Sequence, residues 1–159
     1  MIEKGCFKMN AESIMKTQVI KVMEDSTVRS VIEKFIKNGI SGLPVVNDQN
    51  EIVGYISDGD IMRYVGKHKE NVVNALYFVN VLQGDDDKFE ERAKKILDYN
   101  VMEVARKSVY TVKSDEDIEE IARILGKKQI KKLPVEQNGI LVGIISRGDV
   151  IRNAFSYLL

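Results

Sequence analysis

The chain has 159 residues, and its 24 lysines and arginines balance 24 aspartates and glutamates, so its formal net charge is zero. This balance argues against a general binder of nucleic acids or membrane surfaces, which usually carries a basic excess. One cysteine, Cys6, and one histidine, His68, exclude an intrachain disulfide and a Cys/His zinc site. His68 lies in a polar stretch that we interpret as exposed surface rather than a catalytic site. Without a signal-peptide run or a membrane-length segment, we expect a cytoplasmic protein.

The first half of the chain predicts the element order β-α-β-β-α. A β-branched stretch predicts the first strand, and Asp25-Ser26-Thr27 is a helix-start signal followed by apolar residues at helical spacing. Two further apolar stretches enclose the turn-rich residues 47–50 and predict a hairpin. In chain order we predict a strand at 19–22, a helix ending at Gly39, strands at 43–46 and 52–57, and a helix from Gly59.

Residues 66–100 are predicted to form a mainly helical connecting segment. The apolar run 72–82 is interpreted as helix core, with a docking or dimer surface as the alternative. The acidic run 84–87 suggests a calcium loop, but Ile96 stands where a bidentate glutamate is required, so we interpret it as a solvated helix start. An amphipathic helix is predicted after it, with apolar residues from Phe89 to Leu97.

The second half of the chain repeats the first. Leu43-Pro44-Val45 recurs as Leu133-Pro134-Val135, and these tripeptides contain the only two prolines. The stretch VGYISDGDI at 53–61 recurs as VGIISRGDV at 142–150. Such self-similarity indicates a duplicated structural unit.

The predicted units are residues 11–65 and 101–159. One β-α-β-β-α unit is too small to bury both faces of its sheet, so we expect the two to pack sheet to sheet. The predicted fold class is therefore α/β of the α+β type, with two pseudo-symmetric repeats forming one module. We also expect the start of the second unit, 102–108, to differ from the first by a short insertion.

The strand-to-helix junctions Ser57-x-x-Asp60 and Ser146-x-x-Asp149 are the parts of the sequence best suited to bind a ligand. Taken singly, each is typical of a capping box, in which the serine accepts from a backbone N–H and the acid reaches back. A glycine in each first turn also lets a ligand approach the backbone, and free N–H groups at a helix start bind phosphate. A carboxylate one turn further along can hold ribose hydroxyls. Together these features predict two sites for a nucleoside phosphate.

On these motifs the duplicated unit resembles the cystathionine-β-synthase (CBS) domain, and the chain resembles a CBS pair, or Bateman module. The motifs are Leu-Pro-Val and Gly-h-h-Ser-x-Gly-Asp-h (h, apolar), each present twice. The resemblance implies that AMP, ADP, ATP or S-adenosylmethionine binds between the repeats as a regulatory ligand, with no catalytic cofactor and no metal. It also implies a homodimer, and a separate effector protein would sense the ligand.

The resemblance further implies two pockets, each drawing on both repeats. Ser146 and Asp149 hold phosphate and ribose in one, and Ser57 and Asp60 do so in the other. Because Arg147 follows the serine of the first pocket and a carboxylate follows that of the second, we expect the first to take the more anionic ligand, unless both side chains point to solvent. The implied base-side residues are Thr17, Ile20, Ile40, Ser41 and Gly42 in the first pocket, and Tyr110, Ile130, Lys131 and Lys132 in the second. These two lysines add positive charge to the second pocket and weaken the contrast.

We expect a sensor and not an enzyme. The enzymatic alternative uses Asp60 or Asp149 as a base on a nucleotide, but the sequence supplies no metal cluster and no activated nucleophile. The spacing of Gly54 and Gly59 matches a P-loop, yet Asp60 stands where the phosphate-binding lysine is required. The remaining alternative is a scaffold without a nucleotide that binds a protein or a nucleic acid, the latter through Lys127, Lys128, Lys131 and Lys132.

Overall fold

The computed structural model describes residues 9–66, 71–75, 78–82, 88–128, 130–156 and 158–159. The predicted α+β class with two similar repeats is confirmed. Each repeat contributes a three-stranded sheet flanked by helices. The elements in chain order are α1 Ala11–Ile14, β1 Val22–Met23, α2 Val28–Asn38, β2 Gly42–Val46, β3 Ile52–Ser57, α3 Asp58–Val65, β4 Asn71–Ala75, β5 Phe78–Leu82, α4 Phe89–Leu97, α5 Val101–Val104, β6 Val112–Lys113, α6 Ile118–Lys127, β7 Lys132–Gln137, β8 Ile140–Ser146 and α7 Arg147–Phe155.

The two three-stranded sheets have the same topology. In the first, β1 runs parallel to the central β2, which pairs antiparallel with β3, and β6, β7 and β8 repeat this order. Both hairpins are confirmed, and each carries a register shift just after the valine of the Leu-Pro-Val tripeptide. The first strand is shorter than predicted, because pairing begins only at Val22.

Helix α2 begins and ends where the sequence predicts. Gly39 adopts the left-handed conformation (φ 59°, ψ 36°), which a residue without Cβ reaches at little cost, and its N–H donates to the Phe35 carbonyl. Val28 and Val31 are fully buried, whereas Ile36 is 79% exposed. The buried stripe of the helix is therefore narrower than its apolar spacing indicates.

The short helices α1 and α5 exchange between the repeats. Ala11 and Ile14 of α1 lie in the hydrophobic core of the second repeat, and Val101 of α5 lies in that of the first. The backbone then pairs across: Lys16 with Ile144 through two bonds of 3.0 Å, and Arg106 with Tyr55 through two of 2.9 Å. The units 11–65 and 101–159 are thus contiguous in sequence but interlocked in space.

The start of the second repeat matches that of the first in length. The same number of residues separates α1 from β1 and α5 from β6. The expectation of a short insertion at 102–108 is therefore wrong, and the difference there is one of residue type only.

The connecting segment departs from the mainly helical prediction in its first half. Strands β4 and β5 form an antiparallel pair, with Asn71 opposite Leu82, where the sequence predicts helix core. The correction follows from composition, since this run is rich in β-branched valine. Helix α4 forms as predicted, and Arg92 Nε donates to the Val65 carbonyl at the end of α3 (3.0 Å). The acidic run 84–87, Cys6 and His68 lie outside the described residues.

The two hairpins meet at their turns. The Ile52 N–H donates to the Gly139 carbonyl (3.2 Å), and the Leu141 N–H donates to the Asn50 carbonyl (3.0 Å). The Asn50 side-chain amide adds a bond to the Leu141 carbonyl at 2.9 Å. Backbone pairing therefore joins the sheets at this end, and the opposite end, where β3 and β8 run into helices, is left for a cleft. Within the described residues no helix is long and apolar enough to span a membrane.

Candidate functional site

A cleft of about 430 Å³ opens between the repeats where β3 ends and β7 begins, and we name it the Ser57 cleft. Its volume falls in the range of small-molecule sites. The first repeat contributes Ser41, Gly42, Tyr55, Ser57, Asp58 and Gly59. The second contributes Arg106, Ser108, Val109, Tyr110, Lys128, Ile130, Lys131, Lys132 and Pro134. The structure thus brings Ser57 together with all four residues expected to frame its base, although Asp60 lies behind the lining.

Both strand-to-helix junctions form capping boxes. Asp60 Oδ2 accepts from the Ser57 N–H at 2.8 Å and from its hydroxyl at 2.7 Å. Asp149 Oδ2 repeats this with Ser146 at 2.8 and 2.6 Å. The capping interpretation is confirmed in full at α7, where the Asp149 N–H donates to the Ser146 hydroxyl oxygen at 3.2 Å. At α3 the aspartate reaches back in the same way, but Ser57 makes no side-chain cap bond to a backbone N–H. The hydroxyls donate to the carboxylates, so a ligand would meet the lone pairs of the serine oxygens. At α3 the first two N–H groups also donate already, that of Asp58 to the Ser41 carbonyl and that of Gly59 to Asp58 Oδ1, both at 2.8 Å.

Each aspartate also carries ion pairs. Asp60 Oδ1 accepts from Arg106 Nε at 3.0 Å and from the Arg63 guanidinium. Asp149 Oδ1 accepts from Arg152 at 2.7 Å and lies 3.7 Å from the Lys16 ammonium. In both cases one cation comes from the same helix and one from the segment after an exchanged helix. A ribose hydroxyl would have to share or replace these partners.

The charge state of Asp149 follows from its contacts. Burial raises the pKa of this carboxyl, but hydrogen bonds from Ser146 and Arg152, with the charge of Lys16, outweigh burial and lower the pKa below its ordinary value. The group is an anion at neutral pH. It can therefore accept from ribose hydroxyls but cannot donate to them.

Tyr55 lies over Gly42 beside the cleft. A Cβ on Gly42 would sit 2.7 Å from the Tyr55 hydroxyl oxygen, so the ring occupies the space that any other residue there would need. Burial raises the pKa of the Tyr55 phenol far above its ordinary value, and the charges of Asp58 and Asp60 raise it further. The phenol is therefore a proton donor at neutral pH. Tyr55 was not predicted as a site residue. The signal that could have found it is a difference between the repeats, since the repeated motif has tyrosine at position 55 and isoleucine at the equivalent position 144.

The second repeat makes its wall of the cleft basic. Lys128 Nζ lies 5.1 Å from the centroid of the Tyr110 ring, a cation–π contact, and that ring is 52% exposed. Burial lowers the pKa of the Lys132 ammonium, the charge of Lys16 lowers it further, and Asp149 opposes both. Arg106 was not predicted as a site residue, and Lys128 was named only for the nucleic-acid alternative. Long-range packing places them here, and the sequence carries no motif for either.

The residues implied as the base side of the Ser146 pocket do not lie together in one cleft. Ser41 and Gly42 line the Ser57 cleft, where the Ser41 carbonyl accepts from the Asp58 N–H at 2.8 Å. Thr17 is exposed, and Ile20 and Ile40 pack against the core of the first repeat.

Arg147 makes contacts that its predicted role did not include. Its Nε donates to the Ile130 carbonyl at 2.8 Å, and a terminal nitrogen donates to the Leu125 carbonyl at 3.0 Å. The Leu125 bond caps the last turn of α6, and the Ile130 bond holds the segment that leads into β7. A phosphate contact would require the guanidinium to leave both carbonyls.

Comparisons with known proteins agree with this architecture. A family model of the CBS domain matches residues 11–67 and 101–156. The protein MJ1426 of Methanocaldococcus jannaschii is 34% identical over 151 residues, which is 90% of this chain and 89% of MJ1426. The chloroplastic CBS domain-containing protein CBSX2 of Arabidopsis thaliana is 28% identical over 141 residues, which is 86% of this chain but 59% of that protein.

Solved structures share the fold. The structure of CBSX2 in complex with AMP has a TM-score of 0.71 and 23% identity, covering 94% of this chain and 98% of that one. The CBS domain pair of MJ0100, in complex with 5′-methylthioadenosine and S-adenosyl-L-methionine, has a TM-score of 0.66 and 18% identity at the same coverage. The two family matches fall on the two repeats that share one sheet topology. The chain therefore belongs to the CBS domain family, as a tandem pair of CBS domains.

Proposed function

We propose that this protein is a regulatory sensor that binds an adenosine-containing ligand in the Ser57 cleft. One observation carries the proposal: a helix start with a serine, a half-exposed aromatic ring and several cations line a single cleft between the repeats. These groups suit the phosphate, the base and the charge of a nucleotide. The adenosine ligands held by CBSX2 and by MJ0100 support the same class of ligand.

Each part of the ligand has a partner in this arrangement. The phosphate would lie at the start of α3 and accept from the Gly59 N–H and the Ser57 hydroxyl, once these donors leave their present acceptors, the carboxylates of Asp58 and Asp60. The base would stack on the Tyr110 ring beside Ile130. The ribose would reach Asp60, exchanging one of the guanidinium contacts for hydroxyl contacts. Equivalent roles for Ser146 and Asp149, with Thr17, Ile20 and Ile40, belong to the same proposal.

The effect of ligand binding would be transmitted to a partner protein through Arg106. This residue pairs with Asp60 through its side chain and with Tyr55 through its backbone, so it ties the exchanged segment to the first repeat. A ribose at Asp60 would weaken that tie and change the relative placement of the repeats. A separate effector protein would sense the change.

We also place the protein in the cytoplasm as a non-catalytic homodimer. The dimer is supported by large apolar side chains that stay exposed on helices of both repeats: Ile36 of α2 (79%), Met62 of α3 (58%) and Ile151 of α7 (57%). The absence of catalysis is supported at Asp60, the base of the enzymatic alternative. Both of its oxygens already accept hydrogen bonds from Ser57, Arg63 and Arg106.

The test is a thermal-unfolding series with AMP, ADP, ATP, S-adenosylmethionine and methylthioadenosine. A ligand at about a hundred times its dissociation constant should stabilise the protein by about 2.7 kcal/mol and raise the melting temperature. Ser57→Ala and Asp60→Ala should weaken that shift, and Ser146→Ala reports on the counterpart pocket. No shift with any of the five ligands would overturn the proposal. Oligonucleotide binding that falls steeply with salt would instead favour the scaffold alternative.

A further inference from the structure

The two repeats contribute unequally charged residues to the Ser57 cleft. Before the shared proline, the first repeat has Ser41 and Gly42, whereas the second has Lys131 and Lys132. All four residues line the same cleft, so small side chains face the space that the lysines share. The two repeats have equivalent backbones but different side chains at these positions. One wall of the cleft is therefore basic, and the other is formed by small residues.

The end of the second-repeat helix adds to this asymmetry. Lys128 follows α6, and the equivalent position of the first repeat is Asn38 at the end of α2. Arg106 completes a set of four cations among the lining residues, and Asp58 is the one carboxylate that the described lining contains. An Asp58 oxygen already accepts from the Gly59 N–H at 2.8 Å. The described lining therefore has an excess of positive charge, which attracts anions into a partly enclosed space.

Lys132 sharpens the preference for an anion. Its ammonium is partly buried and close to the charge of Lys16, and these two effects lower its pKa and outweigh the nearby Asp149 carboxylate, which raises it. A desolvated cation beside another cation gains more from an incoming anion than an exposed lysine does. Phosphate groups supply that anion, and each additional phosphate supplies more charge.

We propose that the Ser57 cleft selects its adenosine ligand by negative charge, so that ATP and ADP bind more tightly than AMP. Methylthioadenosine, which is uncharged, and S-adenosylmethionine, which carries a sulfonium and an ammonium group, bind far more weakly. This inference rests on the proposed function for the existence of an adenosine site. It adds the class of ligand, a nucleoside polyphosphate, and assigns the selectivity to Lys128, Lys131 and Lys132.

Isothermal titration of the full chain with the five ligands tests the ranking. We expect methylthioadenosine and S-adenosylmethionine to bind at least about tenfold more weakly than AMP, because charge-assisted contacts are lost. ATP should bind more tightly than AMP, and the difference should shrink as salt is raised. Equal affinities for AMP, ATP and methylthioadenosine would overturn charge selection while leaving the proposed function intact. Binding of none of the five would overturn the proposed function itself.

The repeats themselves provide the matched variants. Lys131→Ser and Lys128→Asn install the residue that the first repeat carries, and each should weaken ATP binding about tenfold and methylthioadenosine binding by no more than about threefold, because both ligands meet the base side but only ATP loses a charge-assisted contact. Lys113→Ala, at an exposed lysine of β6 outside the cleft, should change neither.

A substitution that removes a negative charge from the cleft distinguishes a loss of charge attraction from a loss of folding. Asp58→Asn removes the lining carboxylate and should strengthen ATP binding about threefold, a gain that a damaged fold cannot imitate. ATP affinity that is unchanged in Lys131→Ser, Lys128→Asn and Asp58→Asn would overturn the assignment of selectivity to this cleft.

Discussion

Arg106 Nε donates to Asp60 Oδ1 over 3.0 Å, which joins the segment after α5 to the first turn of α3. The Asp60 side chain is 2% exposed, whereas that of Arg106 is 55% exposed. The carboxylate is thus buried, with one half-exposed cation from the exchanged segment and a second cation, Arg63, from its own helix. This pair is the direct link between the exchange of helices and the proposed ligand site.

Arg106→Ala should lower the free energy of unfolding by about 1 kcal/mol. Loss of one partner of a buried carboxylate is costly, but Arg63 remains and solvent screens the half-exposed guanidinium. Urea-induced unfolding measures the change. Arg29→Ala is the control, because its ion pair with Asp98 is exposed on both sides and should contribute less than about 0.5 kcal/mol. Equal losses in the two variants would contradict a special role for Arg106.

Asp149 should make stability depend on pH in the acid range. Its folded-state pKa is lowered, so the unfolded chain takes up the proton first as the pH falls. The contribution is fully present above the ordinary aspartate value of 3.8 and is lost as the pH falls through the lower folded value. The difference in unfolding free energy between the protein and Asp149→Asn should stay constant from about pH 7 to about pH 5 and narrow below about pH 4.

Urea-induced unfolding over a pH series measures that difference. The difference in unfolding free energy between the protein and Ser146→Ala should also narrow below about pH 4, though by less, because this substitution removes one of the hydrogen bonds that lower the Asp149 pKa. A difference that stays constant down to about pH 3 would show that the native contacts do not favour the ionised form.

Two glycine-to-alanine substitutions should have opposite effects. Gly42→Ala places a methyl group 2.7 Å from the Tyr55 hydroxyl oxygen, and the displaced ring should cost about 1–3 kcal/mol. Gly126→Ala meets nothing within 4 Å on helix α6 and should stabilise the protein by about 0.5–1 kcal/mol. Chemical denaturation compares them. A Gly42→Ala protein as stable as the parent would mean that the phenol has room to move.

Shortening a buried side chain on an exchanged helix should lower the stability of the repeat against which that helix packs. Ile14 is 6% exposed in the core of the second repeat, so Ile14→Ala should cost about 2–5 kcal/mol. Native-state hydrogen exchange should show the amides of β7 and β8 losing protection before those of β2 and β3.

Val101→Ala, in the core of the first repeat, is the reciprocal variant and should show the reverse order. Loss of protection confined to the repeat that carries the substitution in sequence would contradict the exchange.

The capping boxes and the Ser57 cleft differ in how far the sequence predicts them. A serine and an aspartate three residues apart at a helix start need only local backbone geometry, so both boxes were predictable. Tyr55 and Arg106 were not, since their places depend on the approach of Gly42 and Asp60 from other parts of the fold. The helical prediction for 72–82 failed because a short apolar run satisfies both periodicities and pairing partners decide between them.

By itself the sequence determined the duplication, the two hairpins whose first strands contain the prolines, the end of α2 at Gly39 and the serine–aspartate junctions. These features depend on spacings of a few residues and on backbone angles that neighbouring residues control. The tertiary structure alone decided that α1 and α5 exchange repeats, that Arg147 caps α6, and that the cations of the second repeat line one cleft. The physical reason is that side-chain direction and charge partners are set by packing between residues far apart in the chain.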